Sequence, residues 1–273
     1  MCRILLFFIF CSIFNTESIK IGSFNIQVFG QNKVSKKDVL LILVKILSRY
    51  DLVVIQEIRD SKNTSFKQLV EELNKYTNGI YKSLLSEKLG RTKSKEQYGL
   101  IYKPHLIKIG KTITFPNDKN WFERPPMGVQ VLGNTSAIPI FALIIVHLDP
   151  DSVYDEVNHL YTSVQNIMKI WQTQNILILG DMNADCGYLS RKKMKQIQLR
   201  KDTEFIWAIP DHHDTTVGKG DCAYDRIIIH GRKLKQSVKQ GSVKAYHFPS
   251  DLQLDNKMAK QVSDHYPVEV EIL

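Results

Sequence analysis

The chain has 273 residues, of which 43% are hydrophobic and 24% charged, with 14 Gly and 9 Pro. These proportions are ordinary for a folded protein and exclude collagen, a low-complexity polymer and wholesale disorder. The 37 Lys and Arg residues exceed the 28 Asp and Glu residues, and the formal net charge of +9 favours a polyanionic partner such as nucleic acid or an anionic membrane surface.

The N-terminal segment has the pattern of a secretory signal. Arg3 supplies a basic start, and the apolar run from Ile4 to Phe14 is interrupted only by Ser12. A run of this length falls short of the ~20 residues that a helix needs to cross a bilayer. The pattern therefore predicts a signal peptide over residues 1–18, a secreted extracellular protein and no stable membrane association.

Removal of that segment leaves two cysteines, Cys186 and Cys222. In an oxidising compartment each has only the other as a partner, so a disulfide between them is expected. Asn63 and Asn134 each begin an Asn-Thr-Ser sequon, which is a glycosylation acceptor when it lies on the surface.

Apolar runs of strand length alternate with helical patterns over residues 19–273, and no linker or repeat interrupts them. The first predicted strand covers 19–23, and Ser35 is the predicted N-cap of a helix that runs to Arg49. Further strands are predicted over 52–55, 97–103, 106–114, 129–132, 138–146, 175–179, 223–230 and 266–272, and further helices over 64–76 and 155–171. This alternation favours one α/β domain with helices covering the outer faces of the sheets.

Polar residues of a few types recur at the ends of these strands. They are Asn25, Glu57, His147, Asp181, Asn183, Asp264 and His265. Each one alone is more often a turn residue or a helix cap. Together they indicate a site, because a sheet fixes groups at its strand ends while the adjoining loops leave them open to substrate.

The chemistry of this set suits a hard cation and two imidazoles. Carboxylate and amide oxygens are ligands for Mg²⁺, Mn²⁺ or Ca²⁺ rather than for Zn²⁺. His147 and His265 can act as acid and base near neutral pH when a carboxylate orients each ring. Such a centre suits hydrolysis of a phosphodiester, with one His activating water and the other protonating the leaving oxygen.

Several motifs occur in an order that resembles the secreted deoxyribonuclease I family, within the endonuclease/exonuclease/phosphatase superfamily. They are Ser23–Gln27, Gln56–Ser61, Leu89–Arg91 with Lys95–Tyr98, Gly180–Ala184, Cys222–Arg226 and Ser263–Pro267. The resemblance runs from about Ile19 to Ile272. It implies a four-layer α/β sandwich, in which two packed mixed β-sheets are flanked by helices.

The resemblance also implies a role for each matching residue. The acid/base pairs would be His147 with Glu96 and His265 with Asp225. The ligands of a catalytic Mg²⁺ or Mn²⁺ would be Glu57, Asp264, Asn25 and Asp181. The contacts to the phosphate or the transition state would be Asn183, Tyr188, Tyr224 and Arg124. The DNA-binding residues would be Arg59 and Arg91, and the structural disulfide would be Cys186–Cys222.

Other positions bear on calcium and on partners. Asp214 and Thr216 resemble part of a structural Ca²⁺ loop, whereas Pro125 replaces a carboxylate of another Ca²⁺ site. Ser94 stands where family members often carry a groove-packing Tyr, so weaker duplex binding is expected. The apolar actin contacts of the family are not reproduced around residues 83–85, so actin binding is not predicted, and we expect a monomer.

The sequence therefore predicts a secreted, divalent-cation-dependent endonuclease that hydrolyses DNA phosphodiester bonds with little sequence specificity. One alternative is a phosphodiesterase of the same superfamily that acts on a phospholipid or an inositol phosphate. Another is a non-catalytic secreted DNA- or protein-binding relative, which the intact acid, base and ligand positions disfavour. Most of the basic residues over 191–201 and 232–244 are interpreted as solvated surface.

Overall fold

Two six-stranded β-sheets form the centre of the part of the chain that the computed structural model describes, residues 18–117, 119–133 and 139–273. The strands are β1 (Ile19–Phe29), β2 (Leu52–Ile58), β3 (Lys82–Leu85), β4 (Gln97–Tyr102), β5 (Ile107–Thr114), β6 (Met127–Gly133), β7 (Phe141–His147), β8 (Ile176–Asp181), β9 (Ile206–Trp207), β10 (Asp225–His230), β11 (Lys244–Ala245) and β12 (Val268–Ile272). Residues 1–17 of the predicted signal peptide (1–18) and the sequon at Asn134 lie outside the described residues.

The helices lie on the outer faces of these sheets. They are α1 (Gln31–Val34), α2 (Lys37–Leu47), α3 (Ser65–Tyr76), α4 (Val153–Ile170), α5 (Arg191–Met194), α6 (Gln198–Lys201), α7 (Arg232–Ser237), α8 (Phe248–Asp251) and α9 (Asn256–Val262). Within the described ranges, no helix has the length and apolarity that a membrane crossing requires.

Both sheets are mixed. The strand orders are β11-β12-β1-β2-β4-β3 and β5-β6-β7-β8-β10-β9. The pairs β1–β2 and β7–β8 are parallel, and the neighbouring pairs are antiparallel. Because β1 and β2 run in the same direction, as do β7 and β8, their carboxyl ends lie at the same edge of each sheet.

Three apolar clusters separate the four layers, and β2 illustrates how one strand serves two of them. Leu52 and Val54 pack in the cluster between the sheets, whereas Val53 and Ile55 pack in the cluster beneath α2 and α3. This follows from the alternation of strand side chains between two faces, both of which are buried here. A third cluster joins the outer face of the second sheet to α4. The predicted four-layer α/β sandwich is confirmed.

Several predicted boundaries were wrong. The first strand continues beyond residue 23 to Phe29. Ser35 is not an N-cap but the C-cap of α1, and α2 begins at Lys37 without a side-chain cap. The short elements α1, α5 to α9, β3, β9 and β11 were not predicted, because two to seven residues hold too little apolar periodicity to be recognised.

The carboxyl ends of β1 and β2 are irregular. The pairing register shifts between Asn25 and Phe29 in β1 and between Ile55 and Ile58 in β2. Gln27, Val28 and Glu57 have φ angles of 43°, 48° and 60°, a left-handed conformation that β-branched Val28 especially disfavours. Such bulges re-aim side chains and end strand pairing. They place Glu57 at the rim of the sheet.

Asp60 fixes the loop that leaves the bulged end of β2. One of its oxygens accepts hydrogen bonds from the backbone N–H groups of Thr64 and Ser65, both at 2.7 Å. The other accepts the N–H of Lys62 at 2.9 Å. Burial would raise the pKa of Asp60, but these donors hold that pKa well below its ordinary value. The charged form therefore stabilises the fold.

We expect Asp60→Asn to lower the free energy of unfolding by about 1–2 kcal/mol at pH 7, because charge-assisted bonds at the start of α3 are lost. A carboxyl whose pKa is lowered by folding stabilises the protein above the unfolded pKa and loses that effect as pH falls. The difference from wild type, measured by urea unfolding, should therefore shrink between pH 5 and pH 3. The exposed control Asp151→Asn should stay within about 0.5 kcal/mol, and a pH-independent difference for Asp60→Asn would contradict the charge argument.

Candidate active site

The strand pairing alone brings three predicted site residues side by side. His147 of β7 is the register partner of Asp181 of β8, and Asp181 is the register partner of Asp225 of β10. Asn25 lies in β1 of the other sheet, and its Nδ2 donates a 3.0 Å hydrogen bond to Oδ2 of Asp181. The site therefore lies where the two sheets meet at one end.

Two imidazoles face each other across Asp181. His147 Nδ1 lies 2.7 Å from Oε2 of Glu96, and His265 Nδ1 lies 2.7 Å from Oδ2 of Asp225. The Nε2 atoms of His147 and His265 lie 3.7 Å and 3.6 Å from the same Oδ2 of Asp181. Each ring thus has one nitrogen held by a carboxylate and the other directed to a common point.

Burial and neighbouring charges shift the pKa values of Glu96, His265 and Asp225. Burial would raise the pKa of Glu96, but His147 and two arginines outweigh it and lower that pKa to about 2. Burial lowers the pKa of His265, yet Asp225 and Asp181 outweigh burial and raise it to about 10. Complete burial raises the pKa of Asp225, an effect that His265 opposes. With two carboxylates within 3.7 Å of His265, the imidazolium form is favoured.

An oxygen-rich group adjoins the imidazoles. Asn25 Nδ2 donates to Oε1 of Glu57 at 3.0 Å, as it does to Asp181, and the N–H of Val28 donates to Oε2 of Glu57 at 2.8 Å. Oδ1 of Asp264 lies 3.8 Å from His265 Nε2 and is a buried atom without a hydrogen-bond partner. Carboxylate oxygens of this kind are ligands of Mg²⁺, Mn²⁺ or Ca²⁺, so this donor set fits a hard cation.

A different trio also meets the geometry of a metal site. Ligand atoms of Asp181, Asp225 and His265 all lie within 4.8 Å of one another. Asp225, however, is completely buried and binds the Nδ1 of His265. We therefore assign Asp225 to the imidazole and Asp181 to the oxygen-rich group.

The three arginines of the predicted site are all bound to carboxylates or carbonyls. Arg59 Nη2 lies 2.6 Å from Glu96, and its side chain is 34% exposed. Arg124 is mostly buried and donates to the backbone carbonyls of His147 and Leu148 at 3.0 and 3.1 Å. Arg91 binds the carboxylate of Glu123, in the loop between β5 and β6, at 2.6 Å.

Two tyrosines form a wall beside His265. The rings of Tyr188 and Tyr224 lie 5.3 Å apart, and the Tyr224 ring lies 6.3 Å from that of His265. Tyr188 is 47% exposed, so its ring is open to solvent. Asn183 is buried, and its Nδ2 donates to the Leu148 carbonyl at 2.9 Å.

The disulfide and the candidate calcium loop lie next to this wall. Cys186 and Cys222 are bonded, as expected. Oδ1 of Asp214 accepts hydrogen bonds from the N–H and hydroxyl of Thr216 at 2.8 and 2.7 Å. This loop is thus closed by its own side chains, and calcium binding there stays a prediction.

Two supporting residues were missed in the sequence. The Tyr98 hydroxyl accepts the N–H of His147 at 3.0 Å, which joins β4 to β7. Thr215 Oγ1 accepts the N–H groups of Tyr224 and Asp225 at 3.0 and 3.1 Å. Both residues lie within or beside the motifs named above. Their hydrogen bonds join segments that are distant in the sequence, so no local sequence pattern indicates them.

Lys33 is a third missed residue. Its Nζ donates hydrogen bonds to the carbonyls of Ile26, Gln27 and Val262 at 2.8, 2.6 and 2.9 Å. The first two carbonyls belong to the bulge of β1, and the third ends α9, two residues before Asp264. Burial lowers the pKa of Lys33 to about 8, opposed mainly by the charge of Asp264. A lysine within a polar segment has the sequence pattern of a surface residue, so no signal marked it.

Comparison with known proteins gives one family and a consistent set of relatives. The Endonuclease/Exonuclease/phosphatase family model matches residues 22–265. Deoxyribonuclease-1-like 2 of Mus musculus is 36% identical over 258 residues, covering 94% of this chain and 93% of that protein. Deoxyribonuclease-1 of Bos taurus is 36% identical, and that of Gallus gallus 37%, each over 93% of this chain and 92% of the relative.

Solved structures share the fold at low sequence identity. Humanized D. rerio TDP2 aligns with a TM-score of 0.64 and 15% identity, over 94% of this chain and 99% of that one. The human Nocturnin catalytic domain aligns with a TM-score of 0.63 and 12% identity, over 94% and 93% of the two chains. At these identities the likeness concerns the fold alone.

We expect Lys33→Met to lower the free energy of unfolding by about 2–3 kcal/mol, because three buried carbonyls lose a charged donor. Urea unfolding measures this, with exposed Lys36→Met as the matched control, for which a change within about 0.5 kcal/mol is expected. Equal stability of Lys33→Met and wild type would show that the ammonium group does not join β1 to the end of α9.

Proposed function

The chain belongs to the deoxyribonuclease I family of endodeoxyribonucleases, and from that premise we propose how it acts on DNA. It is a secreted enzyme with a signal peptide over residues 1–18 and a single catalytic domain over 19–273. It depends on a divalent cation and hydrolyses DNA phosphodiester bonds with little sequence specificity. Secretion is supported by the N-terminal sequence and by the Cys186–Cys222 disulfide.

One observation carries the proposed mechanism: the Nε2 atoms of His147 and His265 approach the same Asp181 oxygen, at 3.7 and 3.6 Å. Because Glu96 and Asp225 engage the Nδ1 atoms, Nε2 of each ring is the atom that exchanges protons with substrate. One imidazole takes a proton from the attacking water, and the other delivers a proton to the leaving oxygen.

The oxygen-rich group supplies the electrostatic part of the reaction. Glu57, Asn25, Asp181 and Asp264 would hold Mg²⁺ or Mn²⁺, which offsets charge on the phosphate and polarises it. Asn25, through its two 3.0 Å hydrogen bonds, keeps Glu57 and Asp181 together despite their like charges. Asn183, Arg124 and the tyrosine wall line the position of the phosphate.

The phospholipid or inositol phosphate phosphodiesterase remains the alternative of interest within the superfamily, because it would use the same centre. The deoxyribonuclease relatives, at 36–37% identity over nearly the whole chain, favour DNA. Parallel assays on plasmid DNA and on phospholipid vesicles separate the two, since a lipid hydrolase would leave the plasmid supercoiled.

We expect His147→Ala and His265→Ala each to reduce the rate of plasmid cleavage by about 10²–10⁴-fold, because each removes one proton-transfer group. Each variant also leaves a buried carboxylate, Glu96 or Asp225, without its imidazole partner, so some loss of thermal stability is expected, and rates are compared well below the unfolding temperature of each variant. The matched control is His105→Ala, whose rate should equal that of wild type. His105 lies in the exposed turn that follows β4, whereas Glu96 directly precedes that strand. A near-normal rate in either site variant would remove that residue from the mechanism.

A plasmid-nicking assay with Mg²⁺, Mn²⁺, Ca²⁺, Mg²⁺ plus Ca²⁺, and a chelator tests the cation requirement. We expect no cleavage with the chelator, because the charge on the phosphate is then not offset. Glu57→Gln should raise the Mg²⁺ concentration for half-maximal rate at least several-fold, whereas Glu71→Gln, exposed on α3, should not. Full activity in the chelator would refute a divalent-cation mechanism.

A further inference from the structure

The cations nearest the proposed DNA site are already neutralised by carboxylates. Arg59 lies 2.6 Å from Glu96, and Arg91 lies 2.6 Å from Glu123. Arg124 Nη1 also faces Glu96, at 3.7 Å. All three arginines lie on the Glu96–His147 side of the site. A phosphate that binds there must compete with these ion pairs.

Beyond the tyrosine wall lies a short basic helix. The Tyr224 ring lies between the rings of His265 and Tyr188, and Tyr188 is exposed. Only three residues further along the chain, α5 begins at Arg191. At ~3.6 Å per residue for an extended chain, its start lies at most about 11 Å from the Cα of Tyr188.

The cations of α5 face solvent and lack acidic partners. The group consists of Arg191, Lys192, Lys193 and Lys195, all exposed. Within the described ranges, no carboxylate lies within 4.0 Å of any of them. The buried side chains of Met194 and Ile197 anchor the segment on α4 and the second sheet. Lys193 Nζ lies 5.6 Å from the centre of the Tyr154 ring at the start of α4, whereas Arg191 and Lys192 are exposed. Ser190 Oγ accepts the N–H of Lys193 at 3.3 Å and starts the helix.

We propose that α5 is a second contact for the DNA backbone, beyond Tyr188 from the scissile phosphate; this inference rests on the proposed function. Phosphates recur along each strand of a duplex, so a duplex that extends from the site past Tyr188 offers phosphates to the side chains of α5. Contacts to phosphates position the protein on DNA without reading sequence, in keeping with low sequence specificity.

The chain provides a matched control for these charges. Arg191 and Lys192 are the first two residues of α5, and Arg232 and Lys233 are the first two residues of α7, exposed as well. β10 begins at Asp225 in the site and has six residues. At 3.3 Å per residue its other end, which α7 follows, lies about 17 Å from Asp225. The variants Arg191→Gln/Lys192→Gln and Arg232→Gln/Lys233→Gln therefore remove the same charges from near and far positions.

The experiment measures the Kd of wild type and both double variants for a fluorescent 30-base-pair duplex between 50 and 200 mM salt, with Ca²⁺ and separately with a chelator. We expect the α5 variant to bind several-fold more weakly at 50 mM salt, with a slope of log Kd against log salt that is shallower by about 1.8, or 0.9 for each lost phosphate contact. The α7 variant should retain the wild-type slope. Hydrolysis of a small aryl phosphodiester should be the same in all three proteins, since it cannot reach α5.

Equal slopes for the α5 and α7 variants would overturn the proposal, as would a loss of small-substrate hydrolysis in the α5 variant. Equal unfolding temperatures for the three proteins would show that the differences in Kd arise from DNA binding and not from a loss of stability. Failure of the proposed function is a separate result: the wild type would then leave plasmid DNA uncut with every cation, while the binding slopes still decide whether α5 contacts the backbone.

Discussion

Oδ2 of Asp181 is the atom on which the geometry of the site depends. It accepts the amide of Asn25 from the other sheet at 3.0 Å, and both imidazole Nε2 atoms lie within 3.7 Å of it. Asp181 is almost completely buried, so its position is set by the packing of the two sheets rather than by a loop. A shift of one sheet against the other would move both histidines relative to Glu57 and Asn25 at once.

The same end of the molecule contains backbone conformations that the surrounding contacts must hold. Val28 and Glu57 have left-handed φ angles, a conformation that costs of order 1–3 kcal/mol for non-glycine residues. The hydrogen bond from the Val28 N–H to Glu57, and the Lys33 ammonium on the adjacent carbonyls, stabilise the bulges. Strain of this kind is found at functional sites, where it directs a side chain that a regular strand would turn into the core.

Charge has two distinct roles in this protein. Near the site, arginines are paired with carboxylates, and these pairs fix side chains such as Glu96 rather than contributing free positive charge. Away from it, unpaired cations such as those of α5 contribute to the net charge of +9 that favours a polyanion. A net charge counted from the sequence does not distinguish the two, because pairing depends on the folded arrangement.

The sequence by itself determined the α/β class and the residue types of the site, and its family resemblance implied the four layers. The continuous apolar run Leu52–Ile55 is a local pattern that predicts a strand buried on both faces, and the motif around Asp181 is contiguous, so both are recognisable without coordinates. Only the tertiary structure decided that Asp181 lies between the two imidazoles, that Lys33 is buried and that Ser35 ends a helix rather than beginning one. These features depend on contacts between segments distant in the chain, such as Lys33 with Val262, and on register shifts in β1 and β2. No local periodicity encodes such contacts, because they arise only when the sheets pack.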